Sequence, residues 1–446
     1  MSNFLPPWAR RKRAAMLPVG SVRARLASGT FWAVIGAVLS QVLALVAAII
    51  VARLLGRTGF GELGILISTV GTFGIMAGLG LGTTATKYVA ELRTSDPARA
   101  GRILGLSIWT AVVTGIFASV LLFLLAPVLA ANVINAPHLV SELRLSCGVL
   151  FFSALNGAQL GVLSGLEAFK ALAYLNLVRG LLQFLLTIVG VVLFGFVGAV
   201  LALVAGNALA CALYEVAVRR ECRRANIKFE YRGTRSEWRI LWTFAFPAFM
   251  SGAMYTPVVW AGNAALANQP NGLDELGLFN AANQWRMAMM FLPGVLGQVV
   301  MPILSNLYGE GRGSSYRRVL FGNLAITFAL SLGAALVLIL AAPLIMSAYG
   351  SDFSQGTQVL ILMLLSTVLT STSGVVGFSI ASQDRMWHAF WLNLVWAAAF
   401  GLFVYLFIGL KAYGLALAYL LSYAIHAITS TLYIVWSLKS KRVADA

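Results

Sequence analysis

Charge is scarce in this chain. Only 11% of the 446 residues are charged, against about 25% in an ordinary soluble domain. Cysteine and histidine are scarcer still, at three each. Cys147, Cys211 and Cys222 stand far apart, without zinc-site spacing or any reason to pair. His138, His388 and His426 are scattered, so no metal centre is expected. No glycine-rich phosphate loop of the Walker type occurs, so the chain is not expected to hydrolyse ATP and no cofactor is predicted. There is also no room for a soluble catalytic domain, because the longest polar connector, 219–238, is about twenty residues. An enzyme is not expected.

What is present is apolar. Sixty per cent of residues are hydrophobic, and they come in runs of about 20 or more, enough to cross a bilayer at ~1.5 Å per residue. Twelve such spans are expected, near 29–54, 63–90, 103–130, 143–165, 171–193, 197–218, 239–261, 276–302, 319–346, 357–381, 388–409 and 413–436. The runs are too long for transmembrane strands, which take about ten alternating residues. The fold class is therefore an all-α integral membrane bundle.

The bundle is written twice. Leu175-Asn176-Leu177-Val178 returns as Leu392-Asn393-Leu394-Val395. Glu62-Leu63-Gly64 returns as Glu275-Leu276-Gly277, Ala126-Pro127 as Ala342-Pro343, and Gly198 as Gly414. The order is the same and the offset nearly constant. Two six-helix halves related by a pseudo-two-fold axis are predicted, with a ligand site between them. The expected divisions are a basic arm 1–28, a first lobe 29–218, a connector 219–238, a second lobe 239–436 and a tail 437–446.

The formal charge of +17 invites a nucleic-acid partner, but its distribution excludes one. Basic residues crowd the N-terminal arm, the connector, the tail and alternate loops. The opposite side carries only Arg53, Arg57 and Lys411. This is the positive-inside pattern of a multi-pass membrane protein with both termini in the cytoplasm. Residues 1–28 lack the apolar stretch of a cleaved signal.

Two arginines fall near midspan. Arg179 lies ~12 Å into its span and Arg286 ~15 Å into its own, near the centre of a core about 30 Å thick. Asn176 and Gln183 share the helix face of Arg179; Asn283 shares that of Arg286, with Gln284 beside it. All fifteen acidic residues fall in loops or near span ends. Charge at the bilayer centre is costly without a partner or a wet cavity. Two polar stripes lining a central cationic cavity are therefore expected, suited to a phosphate, a diphosphate or an acidic sugar. The competing reading is that the arginines only lock packing. Lys87 and Arg53, at span ends, are read either as interface anchors or as residues along a ligand route. Trp285 and Tyr88 are candidates to stack on sugar rings.

The N-terminal stretch 28–92 carries "ARLLGRTGFGELG" (52–64) between two apolar helices, then a glycine-rich helix ending in Lys87-Tyr88 and Glu91. It resembles the start of polysaccharide flippases of the multidrug/oligosaccharidyl-lipid/polysaccharide exporter superfamily. The resemblance implies a V-shaped two-lobe fold with alternating access in the inner membrane. It implies an undecaprenyl-diphosphate-linked oligosaccharide as cargo, for O-antigen or exopolysaccharide assembly, and membrane lipids, a polysaccharide polymerase and glycosyltransferases as partners. Lipid II flippases of the same fold tend to have two further C-terminal helices. A drug antiporter, a lipid II-type flippase and a non-transporting scaffold of a glycan-assembly complex are the alternatives.

Overall fold

The computed structural model describes residues 22–228, 234–246, 249–250, 253–383 and 385–444. The basic cluster Arg10–Arg13, parts of the connector and the last two residues lie outside these.

The described residues are helical almost throughout, as the apolar runs predict. The main helices are α1 (Val22–Gly78), α2 (Leu81–Leu92), α3 (Pro97–Val128), α4 (Val140–Leu145), α5 (Cys147–Gly165), α6 (Phe169–Arg224) and α7 (Tyr255–Ala267). Then follow α8 (Gly272–Gly309), α9 (Gly313–Leu340), α10 (Ala342–Tyr349), α11 (Thr357–Ser382), α12 (Met386–Phe407) and α13 (Lys411–Ala444). Local chemistry marks some boundaries. Asp96 caps α3 by accepting a hydrogen bond from the Arg99 amide at 2.9 Å, and Pro97 fills the first turn, where an amide hydrogen would have no partner.

Eight helical stretches among the described residues are long and apolar enough to cross a membrane. Three of them, Val38–Leu92, Phe169–Arg224 and Met386–Ser437, run to 52–56 residues. A straight rod of that length would measure ~80 Å, far beyond a core of about 30 Å. Each is broken at a left-handed residue: Gly56 (φ 70°) in the first, Gly195 (φ 57°) in the second, Lys411 (φ 57°) in the third.

The second and third breaks are equivalent. Gly195 has φ 57°, ψ −133°; Lys411 has φ 57°, ψ −132°. They are separated by the same offset as Gly198 and Gly414, each three residues further on. Gly198 then packs against the backbone carbonyl of Gly190, and Gly414 against that of Phe407. A side chain at either position would meet that backbone. The repeated glycine is thus explained: it lets the returning helix approach the one it has just left.

The outside of the molecule is apolar. Leu340, Tyr405 and Leu344 are among its most exposed side chains, as expected of surfaces facing lipid. Inside, helices approach through glycine. Gly82 of α2 and Gly161 of α5 meet backbone to backbone, and Thr86 Oγ1 donates to the Gly161 carbonyl at 3.1 Å. Small residues allow such close approach where no hydrophobic effect drives helices together.

Candidate functional site

The segments up to residue 218 and those from 239 onward touch mainly at one end of the bundle, the end away from the connector. This far-end contact begins in the repeated motif. Gly61 and Gly64 of α1 lie against Leu273 and Asn280 of α8, and Gly277 lies against the Arg57 backbone. The two copies of Glu-Leu-Gly therefore sit on facing surfaces of one crossing. Around it, Thr58 Oγ1 donates to the Asp274 carboxylate and Asn268 Nδ2 to the Val133 carbonyl. Deeper along the same crossing, Trp260 Nε1 donates to Thr69 Oγ1 at 2.9 Å. Phe60 packs its ring on Tyr349 and Phe353, both at 6.2 Å.

At the near end the contact is smaller. The Lys87 ammonium sits over the rings of Phe244 (4.4 Å) and Tyr88 (5.0 Å), and Tyr88 meets Phe244 edge to face. Glu237, buried beside the connector, accepts hydrogen bonds from Arg99 Nε at 3.1 and 3.2 Å and lies 3.7 Å from Arg102.

The two midspan arginines have different surroundings. Arg179 is half-buried on α6 and has no hydrogen-bond or ion-pair partner among the described residues. Arg286, on α8, is only 2% exposed. It donates to the Tyr255 hydroxyl at 3.1 Å and to Asn283 Oδ1 at 3.4 Å. Its guanidinium lies over the rings of Tyr419 (5.2 Å) and Tyr423 (5.9 Å). Trp396 completes the surround by stacking on Tyr255 at 5.3 Å. The charge is met by ring faces and the Tyr255 hydroxyl, as cation–π geometry allows, and among the described residues no carboxylate pairs with it. Arg286 Nε and Trp396 Nε1 remain buried without partners. The expectation of an open, unpartnered cation is therefore corrected for Arg286, which is closed into an aromatic cage in this conformation.

Other expected site residues are also placed. Asn283 is brought to Arg286. Gln284 is half-buried and has no partner among the described residues. The Asn176 backbone carbonyl accepts from Ser40 Oγ at 3.0 Å, tying α6 to α1. The Gln183 amide donates to the Ala202 carbonyl at 3.2 Å and to Thr187 at 3.1 Å. That amide joins the two arms of α6 and is not free for a ligand. Arg53 is exposed and donates from Nε to the Ala348 carbonyl at 2.6 Å, so it belongs to the far-end contact. Trp285 donates to the Tyr349 hydroxyl at 3.1 Å, and Tyr88 is engaged by Phe244. Both rings have protein partners. The sequence reading missed the cage. Its signal was Tyr419 and Tyr423, one turn apart on a single helix face. The three cysteines are free, and no cluster of metal-ligating side chains occurs among the described residues.

These observations define a multi-helix membrane protein with a half-buried arginine on α6 and a buried, ring-enclosed arginine on α8. Residues 26–308 match the model of a family described as polysaccharide biosynthesis protein. The chain belongs to that family. A relative in Ralstonia nicotianae, an EPS I polysaccharide export inner membrane protein, is 25% identical over 407 residues, covering 89% of this chain and 91% of its own. The fold is also that of solved MOP-superfamily structures. The lipid II flippase MurJ in an inward closed conformation aligns with a TM-score of 0.73 at 14% identity, over 90% of this chain and 86% of that one. An inward-facing multidrug resistance transporter of the MATE family aligns with a TM-score of 0.72 at 15% identity, over 90% and 96%.

Proposed function

We propose that this protein is a flippase of the inner membrane that moves a polyprenyl-diphosphate-linked oligosaccharide between leaflets for surface polysaccharide assembly. In this reading the chain crosses the membrane twelve times, six in 29–218 and six in 239–436, with both termini and the connector in the cytoplasm. The two lobes rock about the crossing of α1 and α8, exposing the space between them to each side in turn. Membership of a polysaccharide biosynthesis family supports the cargo class.

One observation carries the site: a half-buried arginine, Arg179, expected at midspan, with no partner among the described residues. A cation left unneutralised in a membrane interior is paid for by what it binds, and guanidinium suits the oxygens of a diphosphate. Arg286 serves a second role. Its cage holds it until the lobes move, so it engages ligand only in another conformation or holds the cage together.

The test is leaflet transfer of a fluorescent undecaprenyl-diphosphate oligosaccharide in proteoliposomes. Wild type is expected to transfer it, and Arg179→Ala to abolish transfer while leaving the protein folded. Equal transfer by Arg179→Ala removes the site assignment. No transfer by folded wild type, with export of a small cationic drug instead, replaces the flippase reading with the antiporter.

A further inference from the structure

Basic residues are rare on the side of a membrane protein away from its positive loops. Here they are Arg53, Arg57 and Lys411, and the structure gathers all three at the far-end contact. Arg53 donates to the Ala348 carbonyl at 2.6 Å. Arg57 donates to the Asp352 carbonyl and to Gln355 Oε1, both at 3.4 Å, and lies 3.7 Å from the Glu275 carboxylate. Lys411 adjoins Ala412, whose amide donates to the other Glu275 oxygen at 3.4 Å.

Arg53 and Arg57 stand on either side of the Gly56 break in α1, so the turn at that break carries both. Apart from Glu275 on α8, their acceptors lie on one short elbow, the end of α10 and the 3-10 turn Ser351–Gly356. The last carbonyls of a helix have no partner inside it and carry the negative end of its dipole. Ala348 presents such a carbonyl, and the Arg53 guanidinium seats on it. The arrangement is one-sided: the first half of the chain supplies both cations, the second half the acceptors.

We propose that Arg53 and Arg57 are a latch, which seats on the 348–355 elbow, holds the far end shut and releases each time that end opens. The inference rests on the two-lobe rocking reading. Its chemistry suits a contact that must break and re-form. Most of the partners are neutral carbonyls and amides; Arg53 is exposed, and the one ion pair, Arg57 with Glu275, is long at 3.7 Å with 18% and 19% of its side chains exposed, so each contact is modest enough to break. The apolar glycine crossing beneath them makes the fit, and the arginines bias it toward closure.

The test measures the lobes directly, without substrate. Spin labels are placed at Asn132→Cys and Ser347→Cys, far-end positions outside the latch, in a background with the three native cysteines replaced by alanine. The distance distribution is read by double electron–electron resonance. Arg53→Gln/Arg57→Gln is expected to raise the ratio of long to short distances at least about tenfold, ~1.4 kcal/mol of bias. The single variants should fall between. A second arm joins the lobes with Thr58→Cys/Asp274→Cys in the same background. Oxidation is expected to stop lipid transfer, and reduction to restore it.

An unchanged distance distribution in the folded double variant overturns the latch. So does full transfer by completely cross-linked protein. A wild type that moves no lipid-linked glycan overturns the cargo reading alone, since the distances are measured without cargo.

Discussion

Asn280 occupies the space that Gly64 leaves empty. A Cβ on Gly64 would collide with the Asn280 amide, whose nitrogen is buried without a partner. Gly64→Ala is therefore expected to push the far-end crossing apart, at about 1–3 kcal/mol for overpacking. Adding Asn280→Ala should recover most of that loss, because the collision is with a side chain. Gly61→Ala meets the Leu273 carbonyl instead, and no second substitution on α8 should rescue it. Thermal unfolding in detergent across the two cycles checks the coupling.

Lys411 repeats the backbone of Gly195 without being glycine. A non-glycine residue in such a region costs of order 1–3 kcal/mol. Lys411→Gly is expected to raise the unfolding temperature, and Gly195→Ala to lower it. A destabilised Lys411→Gly would mean that the lysine side chain contributes more than the strain costs.

The midspan arginines should separate by stability. Arg286→Ala empties a cage and removes the charged hydrogen bond to the Tyr255 hydroxyl, a loss of about 1.5–3 kcal/mol, with ~2 kcal/mol more for desolvated cation–π contact. Arg286→Lys should recover little, since an ammonium lacks the planar fork. Arg179→Ala should leave the unfolding temperature unchanged or higher, having removed a cation with no partner. Melting curves of the three variants decide this before any transport is measured.

Glu237, at the end of the connector, is tied to α3 through Arg99. Glu237→Gln removes the charge that both Arg99 and Arg102 face. Arg99 is 43% exposed at its side chain, so the loss in global stability is small, about 1 kcal/mol after screening. The local effect should be larger: limited trypsin digestion within 219–238 is expected to speed up severalfold, with the lobes themselves still resistant.

Much of this was legible in the residues. The length of the apolar runs gave the helices. The repeated Gly198 and Gly414 marked one physical feature, a close return after a reversal, and the reversal itself fell on the same offset. That Arg286 would need partners was legible too, from its distance to the expected span ends. Its partners were not, because Tyr419 and Tyr423 come from a helix over 130 residues away, and spacing speaks only of one helix at a time. Gln183 shows the same limit. Its face was assigned correctly as polar, yet the carbonyl that claims it lies beyond the Gly195 turn. Arg53 was ambiguous in sequence because a span-end arginine serves as anchor, route or clasp, and only the nearness of the 348–355 elbow distinguishes them.

The single-residue reversals have a consequence for how the protein is seen by its surroundings. In the proposed twelve-span reading, the chain goes out and comes back at Gly56, Gly195 and Lys411 with scarcely any peptide standing clear of the apolar slab. In that reading the compartment on that side meets a nearly bare floor, relieved by the stretches 129–139, 268–272 and 342–356. An antibody raised against that face would find its epitopes in those three stretches, and an inserted reporter tag would be tolerated there sooner than at the reversals.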